Sequence, residues 1–427
     1  MTDATLSRRS LLAASALIGA SALLTGCDAP ESAGSAPADN LAEADGAAGG
    51  AASENLPAST DAPAATEREP EPRSAAERIL GTMTREQKVA QLFLVTPEGL
   101  TGVATATIAG PMTAEALGRI PVGGLIYFAK NLVGAQQVRD LLSGTGALGR
   151  RAGAGVPPFL GIDEEGGTLV ARIAKSGLFD VPTFPNMAEI GATGDPARAA
   201  EVGTAIGGYL REIGFNLDFA PDADVLTNPS NTAIGVRAFG SDPELVAAMV
   251  AAEVAAMLET GTLPCAKHFP GHGDTAGDSH TGAVRTERSR ADIESCEFAP
   301  FRAAIEAGCP LVMVGHIQTP NFAGDGLPAS LSPTMMTDVL RGELGFDGVI
   351  ISDSFGMGAI TQNFAPADAA TRFFQAGGDM LLMPQDLSAA YQGVLDAVTS
   401  GALSEKRVDE SVRRILEAKE RAGILPA

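Results

Sequence analysis

The stretch Gly348-Val-Ile-Ile-Ser-Asp353 decides how this chain is expected to fold, because it is a short apolar run that ends in a polar residue. A strand that is apolar at every position has both faces covered and is typical of a parallel sheet. Seven similar runs occur elsewhere in the chain. They lie near Leu92 and at 123–128, 159–163, 215–219, 263–267, 311–315 and 379–383.

Segments with apolar residues at helical spacing separate these runs. They cover 199–213, 244–259, 291–307 and 404–422. Strands that alternate with helices in this way predict an α/β fold, and the number of strands fits a single (β/α)8 barrel. No glycine-rich phosphate loop of Rossmann or Walker spacing follows the early runs, which argues against nucleotide binding.

Polar residues end several of the predicted strands, and the carboxyl ends of barrel strands carry the chemistry of this fold. These residues are Asp163, Asp224, Lys267 with His268, His316 and Asp353. Each of them alone could cap the helix that follows. Together they predict that the functional site lies at one end of the barrel.

The first 27 residues have the features of an export signal. Two arginines precede an apolar stretch at 11–24 that is short for a membrane span. SRRSLL at 7–12 resembles a twin-arginine signal, and LTGC at 24–27 resembles a lipobox, whose cysteine is acylated. We therefore expect residues 1–27 to be a signal peptide and a lipid on Cys27 to anchor the protein, outside the cytoplasm, to the cell membrane.

An acidic segment rich in Ala, Pro, Glu, Ser and Gly follows at 28–73. It has hardly any large apolar side chains, so it cannot bury enough surface to offset its ordering entropy. The sequence therefore predicts a disordered tether at 28–73 and a single catalytic domain at 74–427. The capping-box pattern Thr84-Arg-Glu-Gln87 marks an early helix of that domain.

The charge and cysteine content exclude two classes of protein. A net charge of -22 at pH 7 argues against a nonspecific nucleic-acid binder, which needs Lys and Arg to displace counterions. Beyond Cys27 the chain has Cys265, Cys296 and Cys309, and this odd, sparse set does not predict a disulfide framework. We expect these thiols to carry no chemistry and Cys265 and Cys309 to be buried.

Three of the four histidines fall within KHFPGHGDTAGDSH at 267–280, whose glycines and proline predict a shaped loop after a strand. A metal site could recruit His268, His272, Asp278 and His280. Alternatively, Asp278 could orient His280 as an acid/base pair, two residues apart on an extended loop. The histidines could also serve only to hydrogen-bond the loop to itself. The spacing alone leaves all three interpretations open.

This stretch resembles the signature of family 3 glycoside hydrolases in their β-N-acetylglucosaminidase branch. Four other motifs resemble those of the family and occur in the family's order. They are DEEGG at 163–167, FAPDAD at 219–224, IGVRAFGSD at 234–242 and SDSFGMGAI at 352–360. Five ordered motifs make the match specific.

The resemblance implies a retaining double displacement in which Asp353 attacks the anomeric carbon and forms a covalent glycosyl-enzyme. It also implies that His280, paired with Asp278, replaces the usual second carboxylic acid as general acid/base. A histidine pKa near neutrality suits both roles.

Substrate-binding roles are implied in the same way. The residues implied to bind substrate are Asp163, Arg172, Arg237, Lys267 and His268. Two positions depart from the family pattern. Arg172 stands one residue later than is common, and Asp222 stands where an apolar residue is common and could alter the charge of the pocket.

The resemblance thus implies an exo-β-N-acetylglucosaminidase that acts on peptidoglycan-derived fragments as a monomer, without cofactor or metal. A β-glucosidase or a glycoside phosphorylase of the same family stays open, because a histidine acid/base does not repel phosphate as a carboxylate would. More distant alternatives are a metal-dependent hydrolase and a lipid-anchored sugar-binding protein. The latter normally has two lobes joined by a hinge, and no second linker is visible after Arg73.

Overall fold

Eight parallel strands form a barrel in the structure, a computed structural model that describes residues 74–277, 279 and 282–425. The strands are β1 (Phe93–Val95), β2 (Gly124–Ile126), β3 (Phe159–Ile162), β4 (Leu217–Asp218), β5 (Leu263–Phe269), β6 (Leu311–Val314), β7 (Val349–Ser352) and β8 (Leu381–Leu382). Each strand from β1 to β6 pairs with the next, and β8 pairs with β1. A parallel bridge between Ile351 and Met380 joins β7 to the start of β8. The predicted (β/α)8 barrel is confirmed.

The barrel strands are buried along their whole length, which explains their apolar composition. One face of each strand lines the barrel interior, and the other is covered by helices. Phe269 at the end of β5 illustrates the outer contact. Its ring lies 5.4 Å from that of Phe298 and 5.3 Å from that of Phe301, both on the helix that follows. Burial on both faces therefore accounts for runs without polar alternation.

Helices separate the strands. The α-helices are Ala75–Leu80, Arg85–Gln91, Pro97–Thr101, Pro111–Arg119, Ala135–Arg151, Arg172–Ser176, Met187–Gly191, Pro196–Ile213, Pro243–Glu259, Arg290–Ser295, Phe298–Glu306, Gly358–Thr361, Pro366–Gln375, Leu387–Ser400 and Glu405–Arg421. A π-helix spans Thr334–Glu343, and 3₁₀ turns lie at Ala129–Asn131, Gly235–Arg237 and Ala329–Leu331. Within the described residues, none of the helices has the length and apolar character that crossing a membrane would require.

The capping box predicted from Thr84 and Gln87 is present. The Thr84 hydroxyl accepts the Gln87 amide at 3.3 Å, and the Gln87 side chain accepts the Thr84 amide at 3.0 Å. These bonds satisfy two of the amides that a helix start leaves without partners.

The segment 291–307 differs from the prediction of one helix, because it forms two helices that meet at Cys296 and Glu297. Pro300 explains the break. A proline has no amide hydrogen, so Pro300 could not donate to the Cys296 carbonyl as a continuous helix requires.

The three cysteines of the described region are free and buried, as expected for Cys265 and Cys309. Burial raises the pKa of the Cys309 thiol to about 11 and that of Cys265 well above its usual value. Thiols of this kind stay protonated at neutral pH and are poor nucleophiles.

Candidate active site

The polar residues that end the predicted strands do meet at the carboxyl end of the barrel. Asp163 follows β3, Lys267 and His268 lie near the end of β5, and Asp353 follows β7. The loop after β4 adds Asp222 and Asp224. Side chains from separate strands therefore converge because the barrel is closed and its strands are parallel.

Asp163 is held between two cations. Its Oδ1 accepts from Lys267 Nζ at 3.0 Å, and its Oδ2 accepts from an Arg172 terminal nitrogen at 3.0 Å. Burial alone would raise the pKa of Asp163, but the charges of Lys267 and Arg172 outweigh it and lower that pKa. The Arg172 guanidinium also lies 4.7 Å from the centre of the Phe128 ring. The extra residue before Arg172 thus does not keep it from the site.

Glu165 is a further site residue, to which the sequence assigned no role although it lies within the DEEGG motif. Its carboxylate accepts two bonds from Arg237, at 2.7 and 2.8 Å, and lies 2.5 Å from Lys267 Nζ. Burial would raise the pKa of Glu165, but Arg237 and Lys267 hold it well below its ordinary value. Lys267 therefore bridges the two acids that follow β3, and the geometry fixes the direction of its ammonium group.

Glu164, between these two acids, has a structural role. It accepts the amides of Ile173 and Ala174 at 2.7 and 3.0 Å and the Tyr209 hydroxyl at 2.8 Å. These bonds fix the start of the short helix that begins with Arg172. Glu164 thereby helps to place Arg172 beside Asp163.

His268 is oriented by Asp224. Its Nδ1 lies 2.8 Å from Asp224 Oδ2, which leaves Nε2 as the ring atom that can meet a ligand. Burial would lower the pKa of His268, but the charge and hydrogen bond of Asp224 raise it, and the charge of Asp353 adds to that effect. His268 and Asp353 are therefore close enough to interact although they follow different strands.

The loop that carries His272 lies directly on the loop after β4. A Cβ atom at Gly273 would be 1.9 Å from the Val225 carbonyl oxygen, so only glycine fits there. This close approach lets the His272 amide donate to Asp224 Oδ1 at 2.5 Å. Burial lowers the pKa of His272 itself. The His272 ring contacts the hydroxyls of Thr275 at 2.7 Å and Ser279 at 3.3 Å, which is the self-bonded loop foreseen as one interpretation.

Asp353 is half-buried at the mouth of the barrel. Its Oδ1 accepts the Ser354 amide at 2.7 Å, and its own amide donates to the Val314 carbonyl at 2.9 Å. His316 supports the same turn, since its Nε2 lies 2.9 Å from the Ser354 carbonyl oxygen and its Nδ1 lies 2.7 Å from the Ser330 hydroxyl. His316 is thus a supporting residue, and Asp353 presents its carboxyl group in a fixed position.

Asp278 and His280, the predicted acid/base pair, lie outside the described residues. Ser279, between them in sequence, is described and buried, and its carbonyl accepts the Ala359 amide at 3.3 Å. Ala359 belongs to the short helix that follows Asp353. The backbone of the histidine loop is therefore joined to the segment after the predicted nucleophile.

Among the described residues, one group of side chains has donor atoms close enough together to bind a metal ion. Asp222, Asp224 and His268 place donor atoms within 4.8 Å of one another. Arg237 lies 3.4 Å from Asp222, and the Asp224 carboxylate is already bonded to the His268 ring. A divalent cation would have to displace both interactions, so we interpret these three side chains as a hydrogen-bonded network.

The sequence of this chain matches a family model described as the N terminal domain of glycosyl hydrolase family 3, over residues 84–418. The chain belongs to glycosyl hydrolase family 3. The family predicted from the five motifs is confirmed, and the barrel is the part of the chain that the family model covers.

Curated relatives and solved structures of the family agree with this assignment. Beta-hexosaminidase A of Pseudoalteromonas piscicida is 35% identical over 340 residues, which are 74% of this chain and 56% of that protein. Beta-hexosaminidase LpqI of Mycobacterium bovis (strain BCG / Pasteur 1173P2) is 34% identical over 360 residues, 82% of this chain and 87% of that protein. A solved glycoside hydrolase family 3 beta-N-acetylglucosaminidase from Paenibacillus sp. str. FPU-7 has a TM-score of 0.75 and 36% identity. The match covers 81% of this chain and 64% of that one.

The family 3 chain thus spans little more than half of the first of these proteins and most of the second. Within the part they share, the structure brings together all five substrate-binding residues implied by the sequence. They are Asp163, Arg172, Arg237, Lys267 and His268.

Proposed function

We propose that this family 3 domain is a retaining exo-β-N-acetylglucosaminidase that removes terminal β-linked N-acetylglucosamine from peptidoglycan-derived fragments. The observation that carries the proposal is the position of Asp353. This carboxyl group stands at the mouth of the barrel, near a buried set of donors and acceptors built from β3 and β5. Relatives named as hexosaminidases, which align with most of the barrel, support the amino-sugar specificity.

The buried set suits the recognition of one sugar ring. Asp163 and Glu165 are acceptors, whereas Lys267, Arg172 and Arg237 are donors, and the two groups are paired through short contacts. Paired, desolvated charges of this kind are pre-organised and present hydrogen-bonding edges to hydroxyl groups without needing to reorient. We expect this set to bind the terminal ring of a sugar chain, which is what exo action requires.

The proposed reaction has two steps. Asp353 attacks the anomeric carbon while the glycosidic oxygen leaves with a proton from His280, giving a glycosyl ester of Asp353. His280 then takes a proton from water, which attacks the same carbon and releases the sugar with its β configuration retained. Asp278 would orient the His280 ring. The hydrogen bond that the Ala359 amide donates to the Ser279 carbonyl supports the placement of this loop near Asp353.

Turnover of chromogenic substrates tests the activity. We expect the purified protein to hydrolyse an aryl β-N-acetylglucosaminide faster than the matching β-glucoside, by at least about tenfold, because contacts to the acetamido group are lost with glucose. When phosphate is added, we expect the product still to be free N-acetylglucosamine. Formation of the sugar 1-phosphate would identify a phosphorylase instead, and faster cleavage of the glucoside would contradict the proposed substrate.

We also propose that the protein is exported and held on the cell membrane by a lipid on Cys27, with 28–73 as the tether. The lipobox-like LTGC and the acidic, Ala- and Pro-rich composition support this proposal. Such an arrangement would let the barrel work on cell-wall fragments at some distance from the membrane.

Replacing Cys27 by Ala tests the anchor. We expect the C27A protein to move from the membrane fraction to the soluble fraction and to lose incorporation of labelled fatty acid, because the acylated thiol is gone. Cys296→Ala is the matched control and should stay with the membrane. Retention of label in C27A would show that the lipid is attached elsewhere or that the anchor has another nature.

A further inference from the structure

Two buried aspartates two residues apart, Asp222 and Asp224, have different hydrogen-bond partners. Asp224 is bonded through its carboxylate to the His268 ring and to the His272 amide. Asp222 accepts only the Asp224 amide, at 3.0 Å on Oδ1, and its buried Oδ2 makes no hydrogen bond with any described residue. Asp224 is thus well compensated as an anion, whereas Asp222 is not.

The Oδ2 atom of Asp222 faces Arg237. The distance to the nearer terminal nitrogen of the guanidinium is 3.4 Å, longer than the bonds that hold this group elsewhere. Arg237 donates to Glu165 from Nε and from the same terminal nitrogen, and its other terminal nitrogen donates to the Ala233 carbonyl at 2.9 Å. A guanidinium has five N–H donors, so these bonds leave two, one of them on the nitrogen that faces Asp222.

We propose that Asp222 is a positioning residue that controls how Arg237 meets the sugar. With a proton on Oδ2, Asp222 is only a weak acceptor toward Arg237, and the guanidinium keeps a donor for substrate. Without that proton, the carboxylate takes the donor in a charge-assisted bond. This inference rests on the proposed function, because it assumes that Arg237 contacts a bound sugar.

The local charges support this behaviour near neutral pH. Burial and the negative charge of Asp224 raise the pKa of Asp222 to about 7, although Arg237 and His268 act in the opposite direction. Glu165 also faces Asp222 and adds to the rise. Glu253, on the helix Pro243–Glu259, is a further buried acid nearby, and burial with the charges of Glu165 and Asp222 raises its pKa to about 8.

The direction of the pH effect follows from these pKa values. Asp222 is mostly protonated below pH 7 and ionises as the pH rises above it. In the protonated state the cations Arg172, Lys267 and Arg237 are paired with the carboxylates of Asp163 and Glu165. Ionisation of Asp222 adds a further buried carboxylate beside Arg237 and engages its free donor, so we expect substrate affinity to fall on the alkaline side. The effect should appear in KM rather than in kcat, because Asp222 acts on binding.

Calorimetric binding of N-acetylglucosamine at about pH 6 and about pH 8.5 tests the inference, on either side of the Asp222 transition. The measured quantity is the Kd at about pH 8.5 divided by the Kd at about pH 6. The surroundings of His268 also raise its pKa, so the wild-type ratio is compared with that of Asp222→Asn, which keeps the acceptor for the Asp224 amide but cannot ionise. We expect the wild-type ratio to exceed the D222N ratio by about tenfold, the size expected for one charge-assisted hydrogen bond.

Glu253→Gln is the matched control, because it removes a buried acid that has no hydrogen bond to any described residue. We expect E253Q to keep the wild-type ratio. Equal ratios in wild type and D222N would overturn the inference. Wild-type binding that does not change with pH would also overturn it, and this result does not depend on whether D222N folds. Absence of sugar binding at both pH values would instead contradict the proposed function on which the inference rests.

Discussion

Replacing Asp353 by Asn is expected to abolish turnover of a β-N-acetylglucosaminide while leaving the protein folded. Asparagine keeps the shape of the side chain and can still accept the Ser354 amide through Oδ1. It lacks the negative charge that attacks the anomeric carbon and stabilises the oxocarbenium-like transition state. We expect kcat to fall at least about 10⁴-fold, the size seen when a nucleophile is removed.

Asp347→Asn provides the matched control, because it is the same change at an exposed aspartate just before β7, at the opposite end of the strand. D347N should retain full activity. If Asp353 served only to shape the turn with Ser354, D353N would be nearly as active as D347N. A slow-turnover fluoro-glycoside gives independent information, because the covalent adduct should accumulate and peptide mapping should find it on Asp353. A label on Asp163 or Asp278 would refute the assignment.

Replacing His280 by Ala is expected to slow both chemical steps by roughly 10² to 10⁴, the contribution typical of general acid/base catalysis. The loss should depend on the leaving group. An aryl group that departs without a proton should restore the first step but not the second, so the glycosyl-enzyme should accumulate and a burst of aryl product should precede slow turnover.

The other histidine of the same loop provides the comparison. His272 is bonded to Thr275 and Ser279, and burial lowers its pKa, so it is placed to hold the loop. We expect His272→Gln to lower the melting temperature and to reduce activity equally for good and poor leaving groups. A leaving-group dependence in H272Q and none in H280A would assign the acid/base role to His272. Restoration of H280A by added zinc would favour the metal-dependent alternative.

Patterning along the chain was sufficient to predict the barrel, because a strand buried on both faces is apolar along most of its length whatever its neighbours are. The run ending in Asp353 shows this well, since it is strand β7 as expected. The helix expected at 291–307 shows the limit of the approach. Helical spacing continues across Cys296, but the helix breaks because Pro300 has no amide hydrogen to donate to the Cys296 carbonyl.

Four of the five family motifs begin at or next to the end of a barrel strand, and the closed barrel gathers those ends, so the residues of these motifs meet in the structure. The sequence could not assign Glu165 its place in the site. Of the two acids after Asp163, one binds Arg237 and Lys267, and the other fixes the helix that carries Arg172. Adjacent glutamates look alike in sequence, and only their direction in the folded loop separates them.

The sequence by itself determined the fold class, the family and the end of the barrel at which polar residues gather, because these depend on the order and polarity of residues along one strand or loop. Only the tertiary structure decided which charges meet. The contacts of Lys267 with two acids after β3 join residues from separate strands. Asp222 and Asp224 differ because Asp224 bonds to the His268 ring of β5, whereas Asp222 accepts the amide of Asp224 in its own loop. Those distances are set by closure of the barrel and by the close approach at Gly273, and no spacing within a single segment encodes them.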